Sequence, residues 1–163
     1  MNTRTALLLL MVALTALPPM ANAAKQDWRF IKFAEVRAYR MNWDKEDALN
    51  SILRDGGGLN ETRLPKEGVP LNDKQIAALK AAVTGPQKNT GVGVGCFHPH
   101  HAFVFYNDRG AVMGHIDVCF LCGGCQMEPM GFSERCNLSA VEELIRELGM
   151  PLSNPAWPSS ASK

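Results

Sequence analysis

The sequence lacks an excess of either charge. It carries 17 Lys and Arg against 16 Asp and Glu over 163 residues. That balance excludes a protein built around an electrostatic footprint for nucleic acid or an anionic membrane surface. Long apolar runs are missing too. The longest, "ALLLLMVALTAL" from Ala6 to Leu17, has twelve residues, where a membrane-spanning helix needs about 20. There is no internal repeat. Residues 1–95 contain neither cysteine nor histidine.

What the first 95 residues lack is concentrated immediately afterwards. Cys96, Cys119, Cys122, Cys125 and Cys136 are all five cysteines, and His98, His100, His101 and His115 are all four histidines. Together they occupy 41 residues. Such crowding argues for a joint role, as metal ligands or as disulfides.

The compartment follows from the start of the chain. Arg4 precedes the apolar run, Pro18 and Pro19 break it, and "ANA" (Ala21–Ala23) has the form of a cleavage site. Residues 1–23 therefore read as a secretory signal peptide, with the mature chain exported to a periplasm or secreted. Removing them takes away Arg4 alone and leaves 16 basic against 16 acidic residues. In an oxidising compartment paired disulfides are the default state of cysteines. Five is an odd number, so at least one must be free, metal-bound or paired to another molecule.

Residues 24–150 read as a single α+β domain, an antiparallel hairpin-based sheet with about three helices, followed by a flexible tail over 151–163. Trp28–Asn42 is rich in aromatic and β-branched residues and suits a strand. Asp44–Arg54 has Ala48, Leu49, Ile52 and Leu53 at helical spacing before "DGGG" stops it. Residues from there to Pro70 are polar and turn-rich. Asn72 and Gln75 form a capping box for a second helix, ended by Gly85-Pro86. Ser139 and Glu142 repeat the device for a third, with Val141, Leu144, Ile145 and Leu148 on its apolar face and Gly149 and Pro151 at its end.

Between the last two helices, "HAFVFY" and "AVMGHIDVCF" flank the turn sequence "NDRG" (Asn107–Gly110) and predict a hairpin from about Gly95 to Leu121. In the second strand Val112, Ile116, Val118 and Phe120 share one face, and Met113, His115, Asp117 and Cys119 share the other. A two-residue loop would place His98 opposite Cys119. A three-residue loop with a bulge at Gly110 would place Cys96 opposite Cys122 and His101 opposite Asp117. Both bring the Cys96 end of one strand beside the Cys119–Cys122 end of the other.

Cys119-x-x-Cys122-x-x-Cys125 supplies sulfurs at a spacing that suits one tetrahedral ion. Cys96 and a histidine of "HPHH" would complete a Cys3His set for zinc, and the same soft ligands suit Cu(I). Two other readings compete. In one, disulfides staple a binding or interaction module and the histidines are ordinary. In the other, the chain is a thiol–disulfide redox protein, although its Cys-x-x-Cys ends a strand instead of opening a helix. A nucleophile set of Cys96, His115 and Asp117 has nothing in the sequence to assemble it, so no enzymatic activity is assigned.

Cys96-Phe97-His98-Pro99-His100-His101 followed by Cys119-Phe120-Leu121-Cys122 resembles the Cys-aromatic-x-Pro-x-His … Cys-Phe-x-Cys pattern of a family of small exported bacterial proteins of uncharacterised activity. The resemblance implies that Cys96, His101, Cys119 and Cys122 form the minimal unit, as ligands of one zinc or copper ion. Cys125, Cys136 and His98 lie outside the pattern, and Cys125 and His98 are reserve ligands.

Overall fold

The computed structural model describes residues 26–28, 31–41, 51–84, 97–120, 123–129, 131–133 and 136–153. Cys96 and Cys122 lie outside them, as do residues 1–23.

Strands β1 (Gln26–Trp28) and β2 (Ile31–Phe33) form a short antiparallel ribbon. Among the described residues the main sheet has six antiparallel strands: β3 (Glu35–Arg40), β4 (Leu64–Pro70), β5 (His101–Tyr106), β6 (Val112–Cys119), β7 (Gly124–Glu128) and β8 (Gly131–Ser133). Their spatial order is β4-β3-β5-β6-β7-β8. Helices α1 (Asp73–Thr84) and α2 (Leu138–Glu147) pack on one face.

That face carries the main core. Val36, Ala38, Phe103, Phe105, Ile116, Val118, Cys125 and Met127 project from alternate positions of four strands. They meet Ile76, Leu79 and Val83 of α1 and Val141, Leu144 and Ile145 of α2. Phe33 of β2 packs edge-on against Phe105 at 5.1 Å between centroids. The opposite face holds a smaller cluster of Tyr39, Met41, Ile52, Ala102 and Val104, with Leu53, Leu59, Tyr106 and Val112 at its margin. The strap from Ser51 to Leu59 thus brings apolar side chains to this second face.

The α+β class is present, but among the described residues there are two helices where the periodicity predicts about three. Residues 44–50 of the expected helix Asp44–Arg54 lie outside the described part. Residues 51–54 are not helical, and Leu53 bridges to Leu59 in antiparallel fashion. The N–H of Ile52 donates to Asp117 Oδ1 and that of Leu53 to Ser51 Oγ, so side chains take donors that a helical ladder would use. Gly56 and Gly57, at φ 95° and 91°, turn the strap back.

The capping box of α1 forms as the sequence dictates. Gln75 N–H donates to Asn72 Oδ1 and Asn72 N–H to Gln75 Oε1, both at 2.9 Å. The box expected at Ser139 and Glu142 is replaced. Asn137 caps α2 two residues earlier, its Oδ1 accepting from Ala140 N–H at 3.1 Å. The C-terminus closes as a Schellman motif. Gly149 N–H donates to Arg146 O and Met150 N–H to Ile145 O, with Gly149 at φ 71°.

The hairpin lies where the turn signal predicts it, with Asn107 Oδ1 accepting from the N–H groups of Arg109 and Ala111. Beside the turn its register is that of the three-residue loop, with Tyr106 opposite Val112, but further along it is neither of the two expected. Phe105 pairs with Gly114 but Tyr106 with Val112, so Met113 is an extra residue in β6. This bulge carries the ladder one residue further than the three-residue loop alone and two further than the two-residue loop. His101 therefore pairs with Val118, and Ala102 with Asp117. The bulge also moves Val112 to the cluster on the second face.

Candidate functional site

Register decides where the chemistry-bearing side chains go. His101 stands opposite Val118 and so faces the helices. Its Nε2 hydrogen-bonds to Pro151 O at 2.9 Å, and its ring meets Phe120 edge-on at 5.5 Å. His115, Asp117 and Cys119 alternate onto the other face. The sheet thus separates His101 from Cys119, two members of the four-ligand set Cys96, His101, Cys119 and Cys122. Among the described residues no three His, Cys, Asp or Glu side chains gather as a metal cluster.

The reserve ligands are placed as follows. Cys125 faces the main core opposite Val118 and is bonded to Cys136, with Cα atoms 6.0 Å apart. The bridge ties β7 to the residue before the α2 cap. Cys119 is also disulfide-bonded. His98 stacks near His100, with centroids 6.1 Å apart.

Burial sets the state of two imidazoles. The pKa of His101 is pushed down to about 4 chiefly by its burial; the Pro151 carbonyl works against this and Arg40 adds to it. That of His100 falls to about 4, again through burial first and then through His101 and His98. Both rings are neutral at physiological pH.

The other face holds a polar group that the sequence did not assemble. Asp117 is fully buried and His115 is 3% exposed. Asp117 Oδ1 accepts from Ile52 N–H at 2.9 Å. His115 Nε2 hydrogen-bonds with Ser51 Oγ at 3.0 Å and lies 3.3 Å from Asp117 Oδ2. Among the described residues Asp117 Oδ2 and His115 Nδ1 are buried without a hydrogen-bond partner. That His115 and Asp117 share a face was legible from alternation. Ser51 was not, because the helical spacing around it hid the strap.

Ser51, His115 and Asp117 are the residue types of a hydrolytic triad, but not its arrangement. A triad needs the hydroxyl and the carboxylate on opposite ring nitrogens. Here both oxygens address Nε2, so the ring cannot relay a proton from one to the other. Cys96, the other nucleophile considered with this pair, lies outside the described residues. What the arrangement offers instead is two oxygens that both address one buried nitrogen.

No protein-family model matches the chain, and neither a curated protein nor a solved structure matches it. The resemblance in the Cys-aromatic-x-Pro-x-His pattern therefore stands on its own motif, and function has to be argued from the site.

Proposed function

We propose that this chain is an exported, disulfide-stapled binding module, with structural cysteines and a ligand site in the His115–Asp117–Ser51 group under the strap. The observation that carries this reading is the Cys125–Cys136 bond. A sulfur bonded to sulfur is not a thiolate ligand, and this bond joins elements that the hydrophobic core alone would have to hold in register. The disulfide-bonded state of Cys119 supports the same reading, as does the separation of His101 from Cys119 across the sheet. Export fits it, since disulfides persist in oxidising compartments.

The test is a thiol count on protein purified from an exporting host without a metal-affinity tag. Alkylation before and after reduction, followed by peptide mass spectrometry, should find Cys125 linked to Cys136 and Cys119 blocked until reductant is added. Four or five thiols that react once a chelator is present would overturn the reading in favour of a zinc or copper thiolate site at Cys96, Cys119 and Cys122.

A further inference from the structure

We propose that His115, Asp117 and Ser51 bind a divalent transition-metal ion of the zinc type. This rests on the reading of that cluster as the ligand site, and it names the ligand. The buried carboxylate of Asp117 points to a cation. Asp117 Oδ1 is satisfied by the strap's Ile52 N–H, but among the described residues Oδ2 has no hydrogen bond although Asp117 is 0% exposed. A carboxylate oxygen withdrawn from water without a hydrogen bond is costly, and a cation is the strongest way to offset that cost.

The donor–donor distances are also compatible with an ion held between them. The Nε2–Oδ2 separation is 3.3 Å, longer than the roughly 2.7–2.9 Å of a charge-assisted N–H···O bond. Ligands about 2.0 Å from a tetrahedral ion have donor atoms about 3.3 Å apart. Ser51 Oγ, at 3.0 Å from the same nitrogen, falls near the same spacing. The donors are also held from behind. Ile52 N–H fixes the far oxygen of the carboxylate, and Leu53 N–H donates to Ser51 Oγ, the kind of outer contact that orients metal ligands. One imidazole with two oxygens suits zinc better than magnesium or calcium, which take oxygen alone, and better than Cu(I), which prefers sulfur. Water would fill the fourth position.

The experiment uses the full exported chain with its disulfides intact, stripped with chelator and titrated with Zn²⁺ by calorimetry. A Co²⁺-loaded sample supplies a spectrum. The expected result is about one ion per chain and a Co²⁺ spectrum without thiolate charge transfer. D117N keeps an oxygen for Ile52 N–H and should fall at least about 100-fold in affinity, and S51A about 10-fold. Zinc should also move the His115 Nε2 resonance of the wild-type protein in nitrogen NMR, a readout that needs no variant to fold. Less than about a tenth of an equivalent bound, D117N and S51A titrating like wild type, or an unmoved His115 signal would each overturn the proposal while leaving the disulfide count untouched. A thiolate band would place the ion on cysteine and overturn it as well. Failure of the staple reading appears separately, as free thiols in the alkylation count.

Discussion

Replacing both Cys125 and Cys136 by alanine isolates the contribution of one cross-link. The two residues are 11 apart in sequence, and they clamp β7 and the chain through β8 to the start of α2. Closing a loop of that length in the unfolded chain removes entropy worth about 3 kcal/mol at room temperature. Both sites are buried beside Val118 and the helices, so alanine is the right replacement; serine would add an unsatisfied hydroxyl to the same measurement. A domain of this kind has about 5–15 kcal/mol in total, so the loss is a large share. With a urea slope of about 1–3 kcal/mol per molar, the unfolding midpoint should drop by about 1–3 M. Equilibrium urea unfolding, followed by tryptophan fluorescence under non-reducing conditions, measures it, and Cys119 is unaltered in the comparison. A double variant whose midpoint lies within about 0.3 M of wild type would refute the reasoning.

Acid should weaken the fold before the carboxylates titrate. His101 is neutral in the fold with its pKa at about 4 against an ordinary 6.5, so the unfolded chain binds the proton first as pH falls. The stability attached to His101 is intact above pH 6.5, falls between 6.5 and about 4, and levels off below, a total of about 3 kcal/mol; unfolding of H101Q across this window should show a shallower slope. A methyl group at Gly114 would sit 2.6 Å from Glu128 O and 2.7 Å from Ile31 Cδ1, so G114A should lose about 1–3 kcal/mol. G58A, where nothing lies within 4 Å, is its control in the same thermal scan. N137A should lose about 1 kcal/mol and S139A next to nothing, since Asn137 and not Ser139 caps α2; equal losses would contradict the cap assignment.

The local rules that worked were those whose signal is short-range. Asn72 and Gln75 cap each other three residues apart, and Asn107 with Gly110 builds its turn from side chain and φ alone. Alternation in β6 put His115 and Asp117 on one face whichever register held. Long-range geometry was not written in the same way. The bulge at Met113 has no turn signature, yet it decides that His101 faces the helices and not Asp117. Strand β4 contains Pro65, Gly68 and Pro70, which read as turn residues; they are tolerated because β4 is an edge strand, and Gly68 admits the Tyr39 ring against the backbone. In β7 the period-two pair Cys125 and Met127 was too short a pattern to outweigh its flanking glycines and Pro129. Ser51 meets His115 across 64 residues of sequence, a separation over which composition carries no information.

The same β4 edge governs how the molecule meets its neighbours. A rim strand with intact amides is a template on which another chain can lay a strand of its own. Pro65 and Pro70 remove two donors from that template, and Lys66 and Glu67 between them are exposed and charged. A visiting strand would find the ladder interrupted at both ends and would have to desolvate charge in the middle. Along this margin, then, the fold is closed to growth by backbone pairing, and recognition there has to be done by side chains.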